Sequence, residues 1–181
     1  MVTAGIDENL IALMGKGDKE AFSELYQKTS DAVYGLSLSI LKRKEDAEDV
    51  MHDAYLRIYR EAPKYRKEGK PLAWIFRIVR NMCLNRIRDA RDASGEVPDA
   101  ADPADEIERS TDRMVLAAAM SVLAEDEREI VVLHALTGLK HKEIADALGM
   151  PQGTVLSKYN RALRKMRIEI EGKTEGKEEA R

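Results

Sequence analysis

The stretch HKEIADALGMPQGTVLSKYNRALRKMR, residues 141–167, has the pattern of two helices joined by a tight turn. Gly149 suits the turn because glycine adopts the left-handed backbone conformation at little cost. Pro151 stops the first helix and suits the entry to the second. Ala145 and Val155 stand where two helices that cross steeply need a small residue and an apolar anchor. The stretch therefore predicts a helix-turn-helix unit.

The second helix of this unit carries five basic residues and no acidic one, in a chain with 33 acids and 30 bases. Its apolar stripe is predicted to be Val155, Tyr159, Ala162 or Leu163, and Met166. The polar side chains predicted to point outward are Ser157, Lys158, Arg161, Arg164 and Lys165. Such a helix can lie in the major groove of DNA. The alternative is an ordinary helical corner with a solvated basic face.

The composition indicates small helical domains. The chain has 181 residues, of which 44% are hydrophobic and only 5% aromatic, and it is rich in helix-forming residues. Its single cysteine, Cys83, excludes an intramolecular disulfide and a zinc site built from clustered cysteines. No apolar run approaches the length of a membrane span, and the N-terminus lacks a signal-peptide pattern. We expect a soluble, cytoplasmic protein.

Proline positions and apolar spacing divide the chain into helices and one linker. Helices are predicted near residues 8–16, 18–41, 44–61 and after Pro71. Residues 89–112 contain nine acids, two bases and two prolines, and could extend to roughly 80 Å. The flanking modules therefore need not touch when they bind a partner. We predict an all-α fold with domains at 1–90 and 113–170, a flexible acidic linker at 91–112, and a frayed charged tail at 171–181.

Two segments of the first domain suggest binding surfaces. Within the helix predicted at 44–61, segment 47–60 and the helical turn before it place acids and arginines on one polar face. This face is either a solvated surface or a docking surface for a basic partner helix. Residues 64–91 carry nine bases and two acids, with aromatics and amides between them. Bases neutralise phosphates, amides read base edges and exposed aromatics stack on unpaired bases. Trp74, Phe76 and Cys83 are predicted to be buried, which leaves Tyr65 as the better stacking candidate.

Motifs of catalysis are missing from the sequence. The three histidines have no metal-ligand spacing, and the chain has no P-loop, HExxH or GxSxG pattern. We therefore expect no enzyme activity, no cofactor and no metal site.

Three segments taken together identify a family resemblance. In order, AEDVMHDAYLRIYR (47–60), AWIFRIVRNMCLNRIR (73–88), the acidic linker and LAEDEREIVVLHALTGLKHKEIADALGMPQGTVLSKYNRALRKMR (123–167) resemble a bacterial RNA polymerase sigma factor. The resemblance is to the extracytoplasmic-function group, which has sigma regions two and four and lacks region three. It covers about 160 of the 181 residues.

The resemblance implies a transcription initiation factor that binds core RNA polymerase, recognises the −10 and −35 promoter elements and promotes strand opening. Core polymerase would be bound by Asp49, His52, Asp53 and Arg57. The −10 element would be bound by Tyr65, Arg66, Lys67, Arg77, Arg80, Asn81, Asn85 and Arg86. The −35 element would be bound by Gln152, Thr154, Ser157, Lys158, Arg161, Arg164 and Lys165. An anti-sigma factor that clamps both domains is the further partner implied.

Four positions depart from the pattern of the group. Leu156 and Lys158 stand where a basic residue and an arginine are common, Tyr159 occupies a usually aliphatic site, and His52 replaces a frequent glutamine. These departures affect the base preferences of the second helix more than its fold, because lysine is a weaker bidentate reader than arginine. We further hypothesise that the acidic linker and the docking face shield the basic surfaces when polymerase is absent.

Two other classes of protein remain as alternatives. A stand-alone helix-turn-helix regulator with an N-terminal sensory domain requires a ligand pocket or a dimerisation helix within residues 1–90, and it leaves the basic segment there unexplained. A helical adaptor that binds only proteins, similar to an anti-sigma factor, leaves both basic helices without a role.

Overall fold

The computed structural model describes residues 6–94 and 111–178, and all the regular structure in these ranges is helical. This confirms the predicted all-α class. A single 3-10 turn, Ala62–Lys64, follows the third helix. Within the two ranges no helix is both long and apolar enough to cross a bilayer. The α-helices are α1 Glu8–Met14, α2 Lys19–Leu41, α3 Lys44–Glu61, α4 Pro71–Ser94, α5 Thr111–Ser121, α6 Glu125–Thr137, α7 His141–Leu148 and α8 Gln152–Glu178.

Local signals set the helix starts in the first half. Asp18 caps α2, where its Oδ1 accepts hydrogen bonds from the backbone N–H groups of Glu20 at 2.9 Å and Ala21 at 3.1 Å. Such side-chain acceptors satisfy amides that have no partner inside the helix. Pro63 lies in the turn that follows α3, and Pro71 is the first residue of α4. The predicted cap and the predicted proline boundaries are confirmed.

Two helices extend past the residues where the sequence suggested that their domains end, and the domain bounds themselves stay a prediction. α4 continues to Ser94, beyond the expected linker start at 91, and α8 continues to Glu178 through the tail that was predicted to fray. The pair Arg167–Glu171, at 2.7 Å, links successive turns of α8 where its extension begins. The remainder of the predicted linker, residues 95–110, lies outside the described residues, as do residues 179–181.

The two halves of the chain share one apolar core. α2 packs against both α3 and α6, and α4 packs against α7. Leu36 and Phe76 from the first half belong to the same buried cluster as Leu133 and Ile144 from the second. α6 approaches α2 so closely at Gly35 that a methyl group there would overlap the Leu136 side chain. The predicted burial of Phe76 and Cys83 is confirmed, whereas Trp74 is only partly buried.

The helix-turn-helix consists of α7, the turn at 149–151 and the start of α8. Gly149 has φ +67°, and Val155 is fully buried with Ala145 nearly so, as the sequence pattern predicts. On α8, Ala162 rather than Leu163 completes the buried stripe. The turn therefore fixes the angle at which α8 leaves the domain.

Gly149→Ala is expected to lower the free energy of unfolding by about 1–2 kcal/mol, because an L residue at this positive φ brings its Cβ close to the following carbonyl. The space around Gly149 is open, so the cost is conformational rather than a clash. Gly153→Ala is the control, since Gly153 is helical and also in open space, and alanine favours helix there. Urea denaturation measures both, and equal destabilisation by the two variants would contradict the account.

Candidate functional site

α3 presents one exposed polar face on the first half of the molecule. Ala47, Val50, Ala54 and Ile58 are buried, and this turns the opposite side of the helix to solvent. Asp49, His52, Asp53 and Arg57, the four predicted docking residues, are all exposed there. The Arg57 Nε donates to Glu61 Oε1 at 2.8 Å along the same helix. The structure thus brings the four predicted residues onto one surface.

Leu56 is an apolar residue within this polar face, and 54% of its surface is exposed. It lies one helical turn from both Asp53 and Arg60. Protein-binding surfaces commonly have an apolar centre within a polar rim. Sequence reasoning missed Leu56, although an apolar residue at a polar position of the helical repeat is a signal that periodicity can show.

Arg86 of α4 connects this face to the basic segment. Its Nη2 donates to Asp46 Oδ1 at 2.8 Å and to Asp49 Oδ2 at 3.2 Å, and the hydrogen bond to Asp46 is the main cause of a raised pKa of Arg86. One predicted DNA-binding residue is therefore paired with the acidic face of α3.

The loop between α3 and α4 is held in place by α1. Glu8 Oε1 accepts hydrogen bonds from the Tyr65 hydroxyl and from the Gly69 backbone N–H, each at 2.6 Å. The Tyr65 ring packs against Trp74 with 4.9 Å between centroids, and burial together with the Glu8 contact raises the pKa of Tyr65. Lys67 donates to the Asn9 side chain at 2.9 Å. The Tyr65 side chain is thus held in place by Glu8 and Trp74. The contacts from α1 to this loop were not predicted from the sequence.

A cavity of about 330 Å³ lies between this loop and the start of α4. Tyr65 and Trp74 give it aromatic walls, Lys70 and Arg77 give it positive charge, and Asp146 of α7 also lines it. Lys70 Nζ is 2.7 Å from Asp146 Oδ2, and the Arg77 guanidinium donates to the Asp146 backbone carbonyl at 3.0 Å. Arg66 also lines this cavity and is exposed.

Arg80 of α4 faces the second half of the chain. Its Nε donates to Glu129 Oε2 of α6 at 2.6 Å, and the Glu129 side chain is only 6% exposed. Burial raises the pKa of Glu129, while the Arg80 guanidinium opposes that shift. Asn81 and Asn85, on a different side of α4, are exposed. One edge of the predicted DNA-binding helix is therefore covered and another is open to solvent.

The shielding contacts differ from those hypothesised. Arg77 and Arg80 are contacted by Asp146 and Glu129, which belong to α7 and α6. The α3 face contributes the pairs with Arg86, as expected, whereas the acidic linker at 95–110 lies outside the described residues. The second half of the chain thus supplies the contacts to Arg77 and Arg80, and α3 supplies those to Arg86.

α8 does not direct all its bases outward. Gln152, Ser157, Arg161 and Arg164 are exposed, and Thr154 is half-buried. The prediction that Lys158 and Lys165 point away from the domain is wrong, because both are half-buried against α6. The reason is a cluster of acids, Glu125, Asp126 and Glu127, in the first turn of α6.

The lysines of α8 form ion pairs with this acidic turn. Lys158 contacts Asp126, and Lys165 Nζ lies 2.7 Å from Glu127 Oε2. The Arg161 Nε is 4.0 Å from Glu127 Oε1 and remains largely exposed. Burial opposes ionisation of Glu127, but the hydrogen bond from Lys165 lowers its pKa overall. These pairs join α6 to one flank of α8 and leave the outward side to other residues.

Leu156 and Asn160 occupy the exposed side of α8, and sequence reasoning did not place them in the site. Asn160 stands between Ser157 and Arg164 on the helix surface. Leu156 is 45% exposed, next to the fully buried Val155. An amide and an apolar side chain therefore join the polar residues that face outward.

The unusual Tyr159 has a packing role. Its ring lies edge-on to His134 and His141, at 4.9 and 4.8 Å between centroids, and the two imidazoles stack at 5.3 Å. These rings join α6, α7 and α8. Among the residues that the structure describes, no group of three or more His, Cys, Asp or Glu side chains could hold a metal ion.

Comparisons with known proteins agree with this arrangement. The family model "Sigma-70 region 2" matches residues 25–93, and "Sigma-70, region 4" matches residues 113–166. The ECF RNA polymerase sigma factor SigM of Mycobacterium tuberculosis (strain H37Rv) is 30% identical, over 86% of this chain and 80% of the relative. The RNA polymerase sigma-H factor of Pseudomonas aeruginosa is 28% identical, over 90% of this chain and 92% of the relative.

Two solved structures share the fold. CnrH in complex with the cytosolic domain of CnrY has a TM-score of 0.69 and 23% identity, covering 92% of this chain and 97% of the other. RpoE in complex with the anti-sigma factor NepR from Bartonella quintana has a TM-score of 0.72 and 21% identity, covering 83% and 96%. At these identities the likeness shows the fold alone.

Proposed function

This chain belongs to the extracytoplasmic-function (ECF) RNA polymerase sigma factors, and we propose that it binds core RNA polymerase and directs it to specific promoters. In this proposal it recognises the −10 and −35 elements, promotes strand opening and acts in the cytoplasm beside the polymerase. The observation that carries the proposal is the combination of surfaces in one chain. An exposed acidic face on α3 accompanies two basic helices, α4 and α8, in different halves.

The α3 face is the proposed docking surface for core polymerase. Asp49, His52, Asp53 and Arg57 supply its polar rim, and Leu56 supplies an apolar centre. Charged rims steer a partner and fix its orientation, while buried apolar contacts slow dissociation. A partner helix with basic side chains around an apolar ridge fits this surface.

α4 and its loop are the proposed −10 reader. The aromatic and basic cavity beside Tyr65 and Trp74 suits an extruded base and its phosphates. Asn81 and Asn85 lie further along the exposed side of α4, where a single strand can follow the helix. Binding unpaired bases better than paired ones favours strand opening without nucleotide hydrolysis by this chain.

We assign the closed arrangement to the polymerase-free protein. Asp146 forms an ion pair with Lys70, and Glu129 forms one with Arg80. DNA phosphates would otherwise contact these two basic side chains. The two promoter elements are separated by roughly 25 base pairs, or about 85 Å of duplex. α4 packs directly against α7, and α8 follows α7 after a three-residue turn, so the two halves must separate before both elements are bound.

An anti-sigma factor is the further partner proposed. The structural relatives CnrH and RpoE were solved in complex with CnrY and with the anti-sigma factor NepR, respectively. A protein that binds this chain in its closed arrangement would keep Arg80 paired with Glu129 and compete with promoter DNA for α4.

Mixing the purified chain with core polymerase and a fluorescent promoter library tests the proposed function. Enrichment of a common motif only when both proteins are present is the expected result. Motif binding by the chain alone, at equal affinity, would instead favour a stand-alone helix-turn-helix regulator. Failure to bind either DNA or polymerase would favour an adaptor that binds other proteins.

The double variant Asn81→Ala/Asn85→Ala is expected to slow open-complex formation on duplex promoters about tenfold or more, with unchanged affinity for core polymerase. Both amides are exposed on α4, and the loss of their base contacts together costs about a factor of ten or more. Permanganate reactivity of unpaired thymines measures opening. Arg80 is a poorer choice, because its removal also breaks the pair with Glu129.

A promoter that is already unpaired across the −10 element provides the control for this prediction. Its bases are unpaired from the start and would still lose their contacts to Asn81 and Asn85, so the double variant should bind this template about tenfold or more weakly. Wild-type binding of the premelted template, or a loss of core binding, would contradict the assignment of α4.

A further inference from the structure

We propose that Leu156 reads the 5-methyl group of a thymine in the −35 element, so that an A·T pair at one position of that element is selected by an apolar contact. The inference rests on the proposed function, because it assumes that α8 enters the major groove. It assigns a specificity role to a residue that stands where a basic side chain is common in the group.

The position of Leu156 on α8 supports a base contact. α8 begins at Gln152, so Leu156 lies in its second turn, and the N-terminal turns of a recognition helix are those that reach base edges. Its exposed neighbours one turn away are Gln152, Gly153 and Asn160. A side chain at Gly153 would meet nothing within 4 Å, and its absence lets the helix backbone approach the groove closely beside Leu156.

The domain core does not explain Leu156. The buried stripe of α8 is built on Val155 and Ala162, both fully buried, with Tyr159 and Met166 packed partly beside it. Leu156 follows Val155 by one residue and therefore points about 100° away around the helix. It is 45% exposed, so nearly half of its surface is left free for a contact outside the domain.

The exposed side of the first turns of α8 is uncharged. Lys158 and Lys165 are engaged by Asp126 and Glu127 on the flank that faces α6. Gln152, Leu156, Ser157 and Asn160 remain on the exposed side of the first turns. Among the groups that the major-groove edges of bases present, only the thymine methyl is apolar, so it is the complementary partner for a leucine.

The alternative occupant is a partner helix. Leu163, 43% exposed, and Ile170 follow Leu156 at intervals of seven residues, a spacing that suits helix packing. They lie about 10 and 21 Å further along the axis. Leu156 itself is surrounded by exposed Gln152, Ser157 and Asn160, which suit base edges better than an apolar helix seam. The observations therefore favour DNA for Leu156.

Replacing thymine by deoxyuridine removes only the methyl group and tests this contact. The −35 motif is first defined with the wild-type chain and core polymerase, and each of its thymines is then replaced in turn. One replacement should weaken binding of the wild-type holoenzyme about fourfold, the value expected for one buried carbon. Leu156→Ala should bind the thymine duplex about fourfold or more weakly and should lose its sensitivity to deoxyuridine at that position.

Leu163→Ala is the matched control, since it removes the same atoms from an exposed site two turns further along α8 and should keep the deoxyuridine effect. The proposal would be overturned if no deoxyuridine replacement changed binding of the wild-type holoenzyme. It would also be overturned if the Leu156→Ala variant were still sensitive to deoxyuridine at the same position. Loss of polymerase affinity in Leu156→Ala, with base sensitivity intact, would assign the residue to a partner helix. If the library yields no motif at all, the proposed function itself fails.

Discussion

Asp53→Arg is expected to reduce the affinity of this chain for core polymerase at least about a hundredfold. Asp53 is exposed at the middle of the α3 face, next to Leu56, and reversing its charge places like charges opposite each other at a basic partner surface. Titration of a fluorescently labelled chain with core polymerase measures the dissociation constant. Asp49→Arg should act in the same direction, but Asp49 also pairs with Arg86, so Asp53 gives the simpler result.

Asp31→Arg makes the same charge change at an exposed position of α2 and serves as the control. Its polymerase affinity should stay within about threefold of the wild type, because exposed substitutions outside an interface have small effects. If Asp53→Arg bound core polymerase with wild-type affinity, or if both variants lost the same affinity, α3 would not be the docking surface.

Glu129→Arg should open the closed arrangement and allow the chain to bind promoter DNA without polymerase. The change sets a second guanidinium against Arg80 at a contact that is almost fully buried. Breaking a buried ion pair costs about 3–5 kcal/mol, which is enough to shift a closed population by a factor of a hundred or more. Small-angle scattering should show a larger radius of gyration, and DNA affinity at low salt should rise.

Two further variants separate opening from unfolding. Glu125→Arg makes the same charge change at an exposed position of α6 and should leave the radius of gyration unchanged. Gly35→Val strains the same interface by a different route, because its side chain would overlap the end of the Leu136 side chain of α6. Native helicity by circular dichroism is required in each case. Compact Glu129→Arg and Gly35→Val proteins with unchanged DNA affinity would contradict the assignment of the closed form to the polymerase-free state.

Local chemistry made much of the fold predictable. Several features depend only on residues within a few positions of one another: the range of α3, the Asp18 cap, the start of α4 at Pro71 and the turn at Gly149. Backbone conformation and capping act over such short distances, so the sequence pattern contains the necessary information. The end of α4 at Ser94 was less predictable, because the acids of the linker begin at Asp89, several residues before Gly95 supplies a stop signal.

Residues of the candidate site were predictable only where their contacts are set by residues nearby in the sequence. The α3 face follows from helical periodicity, and all four predicted residues are exposed there. The pairs Lys158–Asp126 and Arg80–Glu129 join residues 32 and 49 positions apart, and they depend on how helices from different parts of the chain pack. The pairing of Lys158 with α6 was therefore not predictable, and exposed Leu156 was not placed in the site until the buried side of α8 was known.

Single-round run-off transcription tests the central proposal most directly. Core polymerase and this chain are combined with a fragment that carries the selected promoter motif, and each protein is also tested alone. A transcript of one defined length that requires both proteins, and that disappears with Asp53→Arg but not with Asp31→Arg, is the predicted result. No transcript above the level of core polymerase alone, from a fragment that the complex binds, would contradict the account.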